Sequence, residues 1–138
     1  MAARDYYHEH VKTALTRDGW TITDDPFTMK WLGTTLYVDL GAERLIAAEK
    51  GAEKIAVEIK SFVGASRIED LRDALGQFLI YRASLKIYEP DRRLFLAIHF
   101  DVYDNTFGLP EGEALRLDEK INLIVFDVDN KEVVKWIS

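Results

Sequence analysis

Apolar residues recur at two different periods along this chain, and the changes of period divide it into helices and strands. Tyr7, Val11, Ala14 and Leu15 repeat at helical spacing, so Arg4 to Arg17 reads as a helix that Gly19 stops after Asp18. Alternation then takes over. Trp20-Thr21-Ile22-Thr23 is a short strand, Asp24-Asp25-Pro26 a turn, and Phe27 to Trp31 a second strand closing at Gly33. Thr35 to Leu40 sets Leu36, Val38 and Leu40 on one face and Tyr37 and Asp39 on the other. Arg44 to Glu49 and Lys54 to Phe62 flank Lys50-Gly51-Ala52-Glu53, the spacing of a hairpin.

Gly64-Ala65-Ser66 breaks the last of these strands, and Ser66 followed by Glu69 has the form of a capping box. Ile68, Leu71, Leu75, Phe78, Leu79 and Leu85 predict a core-facing stripe on a long helix that runs to about Tyr88, before Pro90. Leu94 to Ile98 and Ile121 to Phe126 are continuously apolar, as strands covered on both faces are. Between them Asp101 to Pro110 reads as loop and Glu111 to Glu119 as a short helix. Asp127 to Lys131 is turn-like, and Glu132 to Ile137 makes a last edge strand. The order predicts an α/β fold: a mixed central sheet with a helix on each side and right-handed crossovers.

Composition narrows the picture. At 138 residues and 48% hydrophobic, with no internal repeat or linker, residues 1–138 suffice for a single domain with its own core. The absence of cysteine excludes disulfides and thiolate metal sites, so a metal would be held by oxygen or imidazole, and Mg²⁺ or Mn²⁺ fits best. Met1 to His8 lacks an apolar signal region, and no apolar run approaches the roughly 18 residues of a membrane span, which predicts a cytoplasmic protein without a membrane partner. A net charge of −6 argues against a protein that coats nucleic acid. It points instead to a partner protein, a homodimer or a local basic patch that helps hold DNA. Trp31 and Trp136, near strand ends, are candidates for a subunit contact.

The candidate chemistry lies in Ile55-Ala56-Val57-Glu58-Ile59-Lys60-Ser61-Phe62. On a strand, Glu58 and Lys60 point to one side while Ile55, Val57 and Ile59 point to the other. Asp39 ends an earlier alternating run. Two carboxylates and a lysine converging at a sheet edge suit phosphodiester hydrolysis, in which carboxylate-held cations activate water and clamp phosphate oxygens. Asp39 and Glu58 are the expected ligands, joined by the backbone carbonyl of Ile59. Lys60 would orient the attacking water or offset developing charge.

Asp39, then Glu58-Ile59-Lys60 on the next long strand, then a helix, resembles the PD-(D/E)XK nuclease superfamily. More closely, Asp39-Leu40-Gly41-Ala42-Glu43, Ile46-Ala47-Ala48-Glu49-Lys50-Gly51, Ala56-Val57-Glu58-Ile59-Lys60-Ser61-Phe62 and Ala74-Leu75-Gly76-Gln77-Phe78 resemble the XisH family, over essentially the whole chain to Trp136-Ile137. That family is described as controlling factors for programmed excision of the fdxN DNA element in cyanobacteria. The resemblance implies a restriction-endonuclease-like core, with Asp39 as first acid, Glu58 as second and Lys60 as the motif lysine. It adds Glu9 on the first helix as an accessory acid, and Gln77 and Tyr81, one helical turn apart, as a further pair. It also implies DNA, an XisI-type protein and a site-specific recombinase as partners. Val38 stands where the superfamily motif has proline, and Glu43 is a rival first acid.

Plainer roles exist for several of these residues. Glu-x-Lys on a strand is commonly a solvated face, and Glu9 sits in a polar helix. His8 and His10 point in different directions from one helix, and His99 reads as a strand-end histidine. Asp101, Asp104, Asp118, Asp127 and Asp129 fall in predicted turns, where aspartate serves the backbone. Two functions follow: an endonuclease-like factor acting with a recombinase in DNA element excision, or a catalytically silent regulator that binds the recombinase. A stand-alone restriction or defence nuclease is a third.

Overall fold

The computed structural model describes residues 2–37, 39–40, 43–62 and 66–138; for 2–6, 37, 39, 40 and 43 it describes the backbone alone. Helix α1 (Ala2–Arg17) leads into β1 (Thr21–Asp24), β2 (Thr28–Trp31), β3 (Thr34–Tyr37) and β4 (Asp39–Leu40). The long strands β5 (Glu43–Lys50) and β6 (Glu53–Lys60) precede α2 (Arg67–Tyr88), β7 (Arg92–His99) and the short helices α3 (Phe100–Asp104) and α4 (Pro110–Glu119). Strands β8 (Leu123–Asp127) and β9 (Glu132–Ile137) close the chain.

The central sheet runs β1-β5-β6-β7-β8-β9, and β4 also pairs with β5. Strands β6, β7 and β8 are parallel to one another, while β5 and β9 join antiparallel on either side, so the sheet is mixed as the sequence predicts. The three parallel strands are connected by helices because parallel neighbours need a crossover. The β2–β3 hairpin stands apart as a two-stranded sheet. Its turn, Leu32-Gly33, has positive φ at both residues, which lets the strands keep their right-handed twist.

Two cores sandwich the sheet. On one face α1 inserts Val11 and Leu15 against Ile46, Ile55, Val57, Ile59, Phe95 and Phe126. On the other, Ala74, Phe78, Tyr81 and Leu85 of α2 cover Leu45, Ala47, Ala56, Leu94, Leu96 and Leu123, with Met29 of the hairpin packed beside them. Burial on both faces is why the middle strands lose polar alternation and read as apolar runs. Ser84 of α2 ties the hairpin down by donating from Oγ to the Lys30 carbonyl at 2.7 Å.

Three details differ from the sequence reading. Thr35 to Leu40 is two strands, the first paired with β2 and the second with β5; Val38, between them, lies outside the described residues. The stretch after His99 is helix α3, capped by the His99 ring accepting from the Asp101 N–H at 3.2 Å; Asp101 and Asp104 lie in it, and Asp118, also expected in a turn, lies in α4. Finally, α2 is rotated. Ile68 and Leu79 face solvent and Leu71 and Leu75 are partly buried, whereas Ala74 and Tyr81 enter the core. A helix with apolar residues on more than one face does not declare which face packs, and the sheet and hairpin decide it.

Ser66 caps α2 as one half of the capping box, its Oγ accepting from the Glu69 N–H at 3.3 Å. Ser66→Ala is expected to cost about 1 kcal/mol, read as a lowered urea midpoint with unchanged m-value. Among the described residues no helix is long and apolar enough to cross a membrane.

Candidate functional site

Among the described residues, strand β6 carries the two most deeply buried charged side chains of the candidate set. Glu58 has 0% and Lys60 4% of its surface exposed. Alternation gives them the face of Ala56, on the α2 side, while Ile55, Val57 and Ile59 fill the α1-side core. The sequence reading placed this pair at a sheet edge. The structure corrects that, since β6 is an interior strand, with Glu58 opposite Leu45 of β5 and Leu96 of β7. A carboxylate on a fully buried strand position is costly to desolvate, and natural cores keep one only with compensating partners or for chemistry. Both residues lie near the carboxyl end of β6, where β7 and β8 also end, and open α/β sheets characteristically place ligands at this end. Lys60 is the last residue of the strand; Ser61 follows buried, and Phe62 turns the chain with φ +53°.

The acids expected beside Glu58 are positioned by backbone. In the β4–β5 ladder Asp39 stands opposite Arg44 and Leu40 opposite Glu43, and Glu43 in turn stands opposite Lys60 across β5–β6. The side chains of Asp39 and Glu43 lie outside the described residues. The ladder thus brings both acids to the carboxyl end of β6, with Glu43 in direct register with the motif lysine. Ile59, whose carbonyl is the third expected ligand, is opposite Arg44 and Ala97. Among the described residues no cluster of three or more acids or imidazoles could hold a metal.

On α2, Gln77 and Tyr81 have different surroundings. Tyr81 is buried in the α2-side core with Phe78 and Leu85. Gln77 is half-buried, and its Oε1 is shielded from solvent with no hydrogen-bond partner among the described residues. Glu9 is exposed on α1, where its described partners are His8 at 3.2 Å and Lys12 at 4.0 Å.

Sequence reasoning missed Asp25, assigned only to a turn. Its carboxylate collects Lys12 Nζ at 2.7 Å, Arg44 Nε at 2.9 Å and His8 Nε2 at 3.1 Å. Burial pushes the Asp25 carboxyl up, but the Lys12 hydrogen bond, the neighbouring His8 and the Arg44 hydrogen bond and charge outweigh it, and the pKa is lowered. The cluster joins α1, the β1–β2 turn and β5 at the residue that faces Asp39 in the ladder. One signal was available: His8 and Lys12 lie four residues apart on one helical face. His99 is the satisfied strand-end histidine the sequence suggested, 4.5 Å from the Phe100 ring and 5.8 Å from that of Phe126.

The XisH protein family matches residues 1–134. The chain belongs to the XisH family. Two crystal structures share its fold. An XisH family protein from Nostoc punctiforme PCC 73102 is 38% identical, with a TM-score of 0.88 over 97% of this chain and 100% of that one. A fdxN element excision controlling factor protein from Anabaena variabilis is 43% identical, with a TM-score of 0.88 over 98% of this chain and 100% of that one. No curated protein matches the chain.

In this XisH chain a cavity of about 630 Å³ opens at the opposite end of β6 from Lys60, lined by Trp20, Lys50, Lys54, Arg93, Phe95 and Trp136 among others. Trp136, a candidate subunit contact from sequence, packs within the chain, 5.7 Å from Trp20 and edge-on to Phe95 at 5.2 Å. Lys50 and Arg93 already cover the Trp20 and Phe95 rings. The cavity therefore lies apart from Glu58 and Lys60.

Proposed function

We propose that this XisH family member serves excision of an fdxN-type DNA element as a metal-dependent endonuclease of the PD-(D/E)XK kind, working beside an XisI-type protein and a site-specific recombinase. The observation that carries the reading is the burial of Glu58 and Lys60, two residues apart on one face, at the carboxyl end of an interior strand. The order of elements supports it: a helix and antiparallel strands lead to this strand, and a helix and a parallel strand follow. The name of the Anabaena variabilis protein supplies the process.

Glu58, the Ile59 carbonyl and Asp39 are the proposed ligands, with Glu43 the alternative first acid on the strength of its register with Lys60. An all-oxygen set in a chain without cysteine suits Mg²⁺ or Mn²⁺. When bound, the ion would lower the pKa of a water and polarise phosphate oxygens. The chain itself contributes the rest. Lys60, held by its strand, donates to the attacking water or to a phosphate oxygen where negative charge grows. Gln77 has a shielded amide oxygen available to orient a water or a ligand. With a net charge of −6, the protein depends on its partners to present the DNA.

Supercoiled and branched DNA incubated with the purified protein is expected to be nicked in Mn²⁺ and left intact in EDTA. If Mn²⁺ and EDTA reactions are indistinguishable, both alone and with the recombinase and XisI-type protein added, the silent-regulator reading replaces this one.

A further inference from the structure

Helix α2 has a second apolar face that its own chain does not cover. Gly76, Ile80, Ala83 and Ile87 follow one another at intervals of four, three and four residues, the spacing of a coiled-coil seam. Ile80 is 38% and Ile87 68% exposed, with Leu79 and Tyr88 exposed beside them. Isoleucine adds nothing to a solvent-facing helix, where straight-chain residues have the better propensity. Gly76 is stranger still. Glycine inside a helix costs roughly 0.5–1 kcal/mol relative to alanine. Yet a Cβ at this position would meet nothing within 4 Å, so packing within the chain does not call for glycine there.

We infer that α2 pairs with the α2 of a second copy, antiparallel, through Gly76, Ile80, Ala83 and Ile87. The seam is self-complementary only in that orientation. With a twofold axis level with the gap between residues 81 and 82, Ile87 packs on the partner's Gly76 and Ile80 on the partner's Ala83. Each layer then joins a large side chain to a small one, which fills space evenly. A parallel pair in register would stack isoleucine on isoleucine and glycine on glycine, crowding some layers and leaving voids in others. Charge agrees with the antiparallel choice. The first turn carries Glu69 and Asp70 and the last turn Lys86. Antiparallel pairing sets Lys86 about 6 Å along the axis from the partner's Asp73, within reach of a lysine side chain, and opposes the helix dipoles. A two-helix seam is small beside the roughly 1,600 Å² of a standard interface, so the dimer forms at micromolar concentration rather than below it.

Sedimentation of the full chain should show a mass rising with concentration from 15.9 kDa towards twice that value. Ile80→Glu should weaken association at least about tenfold while the thermal melt stays cooperative. Orientation is read separately, because the chain contains no cysteine of its own. Gly76→Cys mixed with Ile87→Cys should form a disulfide-linked pair under mild oxidation, and Ile87→Cys alone should not. A single-chain mass at all concentrations, a dimer indifferent to Ile80→Glu, or efficient self-linking of Ile87→Cys would each overturn the proposal. None of these readouts depends on nuclease activity.

Discussion

Replacing Glu58 by glutamine is expected to reduce Mn²⁺-dependent DNA cleavage by at least about a hundredfold, because the substitution keeps the shape and hydrogen-bonding capacity but removes the charge proposed to hold the ion. The same variant separates a catalytic from a structural acid. If Glu58 serves chemistry, its loss should fall on Mn²⁺ binding rather than on the fold, and without metal Glu58→Gln should melt close to the temperature of the parent. Adding Mn²⁺ at a hundred times its dissociation constant should stabilise the parent by about 2.7 kcal/mol, roughly 8 °C in Tm for a chain of this size, and leave Glu58→Gln nearly unmoved. Lys60→Met should behave differently, losing cleavage while keeping much of the Mn²⁺-induced rise in Tm. A Glu58→Gln protein that melts well below the parent and a parent indifferent to Mn²⁺ would together make the acid part of the scaffold.

Asp25→Ala should be the most damaging substitution outside the apolar cores, costing about 2–4 kcal/mol at neutral pH. The carboxylate is 15% exposed and binds Lys12, Arg44 and His8 from two elements, so its removal leaves the two cations and the imidazole crowded without their common acceptor. The pH dependence has a definite sign. Asp25 titrates below its ordinary value of 3.8 in the folded chain, so its contribution is fully present above that value and is lost as pH falls through the lowered folded pKa. The stability gap between the parent and Asp25→Asn in denaturant titrations should therefore be fully present at pH 5 and shrink as pH falls below 3.8. A gap that persists undiminished at pH 3 would assign the stabilisation to packing rather than to the charge cluster.

Position within a strand was legible for Glu58 and Lys60, because alternation is a local property and Ile55, Val57 and Ile59 declare the opposite face. Their depth was not. The hairpin of β6 with β5 is local, but whether β6 lies at an edge or inside the sheet depends on β7, whose pairing joins residues far apart in sequence, such as Glu58 and Leu96. The same holds for Asp25. As part of Asp-Asp-Pro it has every local mark of a turn residue, and only the docking of α1 beside β5 brings His8, Lys12 and Arg44 onto it. Tyr81 is not among the residues of the stripe predicted for α2, but the sheet and the β2–β3 hairpin chose a different face, and it is buried.

By itself the sequence determined the kinds and order of the elements apart from α3 and the division of β3 from β4, together with the hairpin at Gly51, the cap at Ser66 and the pairing of an acid with a lysine on one face of β6. These follow from side-chain periodicity and backbone preference, which act over a few residues. Only the tertiary structure decided that the acid is fully buried on an interior strand, that α1 and α2 cover opposite faces of the sheet, and that a second seam on α2 is left outward. Those outcomes depend on which apolar surfaces meet, and distant segments settle that together.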